Sequence, residues 1–119
     1  MAKADLQKIE LWLNAAHQSG YKVAALTKEM RTSRRQLQRH TQHLFGQSPQ
    51  CWLNEQRLIL AKRLLMKNRE VKKVAFDVGF RQVSHFSRQF KLFYGLSPSA
   101  FLAWVDRQTK DDKPAIEPQ

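Results

Sequence analysis

Apolar positions recur along this chain at spacings of three and four, the signature of helices that bury one face. Leu6, Ile9, Leu13 and Ala16 predict an N-terminal helix with these side chains inward, ending near Gly20. Val23, Leu26 and Met30 mark a short helix, and the polar stretch Arg31-Thr32-Ser33 breaks it. Leu37, Thr41, Leu44 and Phe45 then form the inner face of a further helix, which Gly46 terminates. The same succession returns later. Val74 and Val78 belong to a short helix, Gly79 supplies a turn, and Phe86, Phe90 and Phe93 form the inner stripe of the helix that Gly95 ends. Ser48-Pro49 and Ser97-Pro98 read as helix starts, because serine caps free N–H groups and proline at the first helical position forfeits no hydrogen bond. The helix from Pro49 is predicted to reach about Asn68. Between Leu58 and Met66 it is apolar almost all round, so it is expected to bury more than one face and to act as a spine joining two lobes. Beyond Asp106 the chain is polar and carries Pro114 and Pro118, which predicts a flexible tail over 106–119.

The recurrence is an internal repeat. At an offset of 49 residues, Leu37-Gln38-Arg39 falls on Phe86-Ser87-Arg88 and Leu44-Phe45-Gly46 on Phe93-Tyr94-Gly95. Ser48-Pro49 falls on Ser97-Pro98, and Trp52-Leu53 on Phe101-Leu102. Two copies are too few for a solenoid, so one helix-turn-helix module has been used twice. The predicted architecture is all-α: a lobe at about 5–47, a linker helix at about 49–68, and a second lobe at about 71–105.

Charge changes the picture. The 119 residues hold 21 Lys plus Arg against 10 Asp plus Glu, a net charge of +11, which predicts attraction to a polyanion. The placement is more telling. No acid lies between Glu29 and Glu55, where Arg31, Arg34, Arg35 and Arg39 fall, and none lies between Asp77 and Asp106, where Arg81, Arg88 and Lys91 fall. Each acid-free window coincides with one copy of the repeat, leaving two surfaces compatible with phosphate.

In a helix-turn-helix module the second helix enters the major groove of DNA and its N-terminal residues meet base edges. The free face of the first such helix offers Arg34, Arg35, Gln38, Arg39 and Gln42. Arg pairs bidentately with guanine O6 and N7, and Gln with adenine N6 and N7. The second offers Gln82, Ser84, His85, Ser87, Arg88 and Lys91, a set with fewer bidentate donors and more reliance on backbone contacts and DNA shape. Ser33 and Thr32 are read as caps rather than base contacts.

Val74-Ala75-Phe76-Asp77-Val78-Gly79-Phe80, then Phe86-Ser87-Arg88-Gln89-Phe90, then Gly95-Leu96-Ser97-Pro98 closely resemble the C-terminal signature of the AraC/XylS family. The stretch from Ser48-Pro49 to Leu65, with Leu53, Arg57, Leu58, Ala61 and Leu64, resembles that family's linker-helix region, and the likeness spans about residues 5–105. The resemblance implies about seven helices, two recognition helices in successive major grooves of promoter DNA, and contact with RNA polymerase during activation. It places base-reading positions on Arg35, Gln38 and Arg39, and on Val83, Ser84, Ser87 and Arg88. Two residues depart from the pattern: Arg31 stands where the family usually has the turn glycine, and Thr41 replaces a core aromatic. These departures predict a looser or differently angled first lobe.

Other function classes find little support. Cys51 has no partner cysteine, and His40 with His43 supplies two metal ligands without a third, so no catalytic, cofactor or metal site is expected. No stretch reaches the roughly 18 apolar residues of a membrane span, and Asp5, Lys8 and Glu10 interrupt any secretory core. A cytoplasmic protein is expected, monomeric because two lobes already supply two half-contacts. The alternative in another class is an architectural nucleic-acid binder that shares the charge without the reading faces. The sequence leaves open whether the chain is a stand-alone regulator or a piece of a longer one.

Overall fold

The computed structural model describes the backbone of residues 3–116 and the side chains of residues 8–108. Seven helices and no strand occur among the described residues: α1 Lys3–Gln18, α2 Val23–Met30, α3 Arg34–Phe45, α4 Pro49–Asn68, α5 Val71–Asp77, α6 Val83–Tyr94 and α7 Pro98–Ile116. The chain forms two compact units that divide inside α4, between Leu60 and Ala61.

The first unit closes on Trp12, Ala15, Ala16, Tyr21, Leu26, Leu37, Trp52 and Leu53. Its centre is aromatic. Trp12 meets Trp52 edge-on at 5.8 Å and Phe45 edge-on at 5.7 Å, and Phe45 stacks on Trp52 at 4.6 Å. This cluster corrects the expected inner face of α1. Leu13 is 42% exposed, whereas Trp12, 100° away around the helix, is 4% exposed. The apolar stripe runs through Trp12, Ala15, Ala16 and Ser19, and Ser19 satisfies its hydroxyl by donating to the Ala16 carbonyl at 2.7 Å. Ile9 is half-buried, and the side chain of Leu6 lies outside the described residues. Thr41 is fully buried, and its hydroxyl donates to the Gln38 carbonyl at 3.2 Å, so the missing aromatic leaves no unsatisfied polar group.

The second unit buries Leu65, Val74, Ala75, Val78, Phe80, Phe86, Phe90, Phe101 and Leu102. Phe86 touches the rings of Phe80 at 5.3 Å and Phe90 at 5.7 Å, and Phe90 goes on to Tyr94 at 4.7 Å and Phe101 at 5.7 Å. Phe93, expected in this stripe, is instead 43% exposed. Tyr94, next along the helix, takes the inward place with its ring against Phe90. Arg69 donates to both carboxylate oxygens of Asp106 at 2.8 and 2.9 Å, tying the end of α4 to α7, though so exposed a pair contributes little, about 0–1 kcal/mol.

The spine helix matches its predicted limits, and it gives Trp52 and Leu53 to the first core and Leu65 to the second. It is less buried than its composition predicts. Leu58, Ala61 and Leu65 are buried, while Ile59 and Met66 are exposed. The backbone of α7 is helical to Ile116, through eleven residues of the predicted tail; Arg107, Gln108, Lys110 and Lys113 are adequate helix formers, whereas Asp111 and Asp112 are weak ones. The rest of that segment, with Pro118, lies outside the described residues.

The two turns are built alike. Gly79, at φ 92°, donates to the Phe76 carbonyl and Phe80 to that of Ala75; Arg31, at φ 53°, donates to Lys28 and Thr32 to Thr27. Arg31 therefore holds, in left-handed conformation, the place that glycine holds in the second unit. From this residue to the following helix the first turn has two residues and the second three. A left-handed non-glycine residue costs about 1–2 kcal/mol, and glycine returns about 0.4–1 kcal/mol of that through its freer unfolded chain. Arg31→Gly is accordingly expected to raise stability by about 1 kcal/mol or slightly less, read from the urea midpoint. Ser33, Ser48 and Ser97 each accept a backbone N–H in the first turn of their helices, from Gln36, Cys51 and Ala100 at 3.1–3.2 Å.

Candidate nucleic-acid interface

Burial of Leu37 and Thr41 fixes the rotation of α3. The opposite face then presents Arg34, Arg35, Gln38, Arg39 and Gln42, all exposed. Arg35, Gln38, Arg39 and Gln42 line one open concavity together with His43. On sequence His43 pairs with His40 as two metal ligands without a third. The structure separates the two: His43 joins the arginine face, one turn after Arg39, while His40 turns its ring edge toward Trp12 at 6.4 Å. Among the described residues no group of three His, Cys, Asp or Glu could hold a metal ion.

Burial of Phe86 and Phe90 fixes α6 in the same way. Ser84, His85, Arg88 and Lys91 are exposed, with Gln82 at the N-cap, while Val83 and Ser87 are half-buried on the flank. The His85 ring lies edge-on to Phe80 at 5.2 Å, which steadies it beside the turn. The offset of 49 residues pairs the two faces position by position: Arg35 with Ser84, Gln38 with Ser87, Arg39 with Arg88, Gln42 with Lys91, and His43 with Leu92. Leu92 is 75% exposed. The second face thus keeps one arginine at the place of Arg39, exchanges the others for hydroxyls and an ammonium, and ends in an apolar side chain.

Among the described residues, the ion pairs Arg69–Asp106 and Lys73–Asp77 lie away from Arg34, Arg35, Arg39, Arg88 and Lys91, none of which is in a salt bridge. Both faces therefore carry uncompensated positive charge and rotatable donors. Arg57 on α4 is of another kind: it is half-buried, and that burial pulls its guanidinium below its ordinary value.

A helix-turn-helix domain family model matches residues 26–103, from within α2 to within α7. The chain belongs to the AraC/XylS-type helix-turn-helix family. This AraC/XylS-type chain is 41% identical over 70 residues to the HTH-type transcriptional activator RhaS of Escherichia fergusonii, covering 58% of the chain and 24% of RhaS. It is 21% identical over 113 residues to the HTH-type transcriptional regulator ExsA of Pseudomonas aeruginosa, covering 94% of the chain and 39% of ExsA. It spans well under half the length of these curated relatives. Among solved structures, the DNA-binding domain of AdpA, a global transcriptional factor crystallised with a target DNA, matches at a TM-score of 0.74 and 30% identity, over 84% of this chain and 93% of that one. No described helix is long and apolar enough to cross a membrane.

Proposed function

We infer that this AraC/XylS-type chain is a sequence-specific reader of double-stranded DNA that serves transcription regulation, with α3 and α6 entering successive major grooves. The observation that carries the reading is the matched pair of exposed faces, with Arg39 and Arg88 at equivalent positions on helices whose rotation is fixed by buried residues. Arg35, Gln38, Arg39 and Gln42 read bases from α3; Val83, Ser84, Ser87 and Arg88 read them from α6. Arg34, Gln82, His85 and Lys91 hold phosphates or flank the bases. The names of RhaS, an activator, and of AdpA, bound to its target DNA, support an activator that binds DNA; that it works at a promoter through RNA polymerase, in the cytoplasm, is the reading proposed from the AraC/XylS-type resemblance. Residues up to about 105 act as the DNA-binding domain and bind as a monomer to an asymmetric site.

Selection of bound fragments from a random duplex library at physiological salt tests this. One asymmetric motif with two submotifs about one helical turn apart is expected. No enriched motif, with binding that only fades as salt rises, would leave an architectural binder. On the selected duplex, log K should fall linearly with log salt, with a slope of about 0.9 per phosphate neutralised.

A further inference from the structure

We propose that the first unit holds a binding site for a small amphipathic anion, a carboxylate on a flat apolar body, in a cleft bounded by α1, α2 and α3. The cleft has a volume of about 340 Å³, within the range of small-molecule sites. Trp12, Met30 and Leu44 give it an apolar lining, and Lys8, Arg31 and the Thr32 hydroxyl give it anion-binding donors. Among the described residues no carboxylate lines it. Trp12 is almost wholly buried and held edge-on by Phe45 and Trp52, so that wall is rigid.

A second observation concerns the same place. Arg31 adopts φ 53° and ψ 51°, where the equivalent turn uses glycine. Such a conformation is held by its surroundings, here the C-cap hydrogen bonds that close α2. The turn residue that is glycine in the second unit is here an arginine lining a largely apolar cleft, and a guanidinium is the group that pairs bidentately with a carboxylate. The bound molecule would rest against His40 and Leu44, on the back of the helix whose front carries Arg35 and Arg39. That is the position of an effector able to tune the pose of α3. The site does not depend on the DNA-reading assignment, since none of its lining residues belongs to that set.

The test is calorimetric titration of the full chain with 2-naphthoate and, separately, with its uncharged analogue 2-naphthylmethanol. The chain should bind the carboxylate at least tenfold more tightly than the alcohol, and the indole N–H resonance of Trp12 should shift on titration. Arg31→Gly should weaken naphthoate binding at least tenfold. Because this substitution relieves the backbone, an unchanged or raised melting temperature separates lost binding from lost folding. Equal binding of acid and alcohol, or unchanged binding by Arg31→Gly, overturns the proposal. So does a variant that weakens every DNA sequence alike in a chain that never bound naphthoate, since Arg31 would then serve the DNA backbone.

Discussion

Phe86→Ala is expected to destabilise the second unit by about 3–5 kcal/mol, the range for removing a buried aromatic ring. Phe86 is fully buried and stands between Phe80, which follows the turn glycine, and Phe90, through which the stack reaches Phe101 on α7. Its loss leaves a cavity between the rings of Phe80 and Phe90. A small domain has about 5–15 kcal/mol in all, so such a loss consumes much of it. Urea unfolding followed by far-ultraviolet circular dichroism measures the effect. The matched substitution Phe93→Ala, at an exposed ring of the same helix, should cost far less. Comparable losses at the two positions would show that the rotation of α6 is misassigned, and with it the direction of Ser84, Arg88 and Lys91.

The second large effect concerns binding. Arg39→Ala and Arg88→Ala are each expected to lose about 1–3 kcal/mol of discrimination at a single base pair, because each removes one bidentate arginine–guanine contact. The losses should fall at different positions of the selected site, one in each submotif. Lys91→Ala is the contrast. An ammonium at the far end of α6 suits phosphate, so its removal should weaken all sequences alike and lower the salt slope by about 1. Binding of point-mutated duplexes across a salt series distinguishes these outcomes. If Arg39→Ala and Arg88→Ala weaken every duplex equally, neither arginine reads a base.

The elements legible in the sequence are those set by local chemistry. Ser48-Pro49 and Ser97-Pro98 announce helix starts because capping and the proline ring act within a few residues. Gly46 and Gly95 announce ends for the same reason. The repeat then carried one unit's logic to the other, and the spacing of Leu37 with Thr41, and of Phe86 with Phe90, gave both reading faces. What periodicity missed depends on distant partners. It favoured Leu13 over Trp12, because the inner face of α1 is decided by Trp52 and Phe45, which lie far along the chain. It counts Phe93 as buried because the i, i+3, i+4 stripe continues through it, although its ring is 43% exposed. Ile59 and Met66 show the same limit: apolar type does not say what packs beside it. His43 is hidden for a different reason: a histidine pair invites a metal reading, and only the packing shows His40 beside Trp12 and His43 with the arginine face. The departure at Arg31 was visible as a residue out of pattern, and its meaning, a left-handed turn with glycine-type hydrogen bonds, needed the backbone.

Two helices of one chain, α3 and α6, are proposed to read bases in two major grooves. Methylation interference at guanine N7 on the selected duplex tests it most directly, because that methyl group blocks the arginine–guanine contact in the major groove. The account predicts interference at two guanine clusters about one helical turn apart on the same face of the duplex, one lost in Arg39→Ala and the other in Arg88→Ala. Binding indifferent to N7 methylation at every guanine would contradict it.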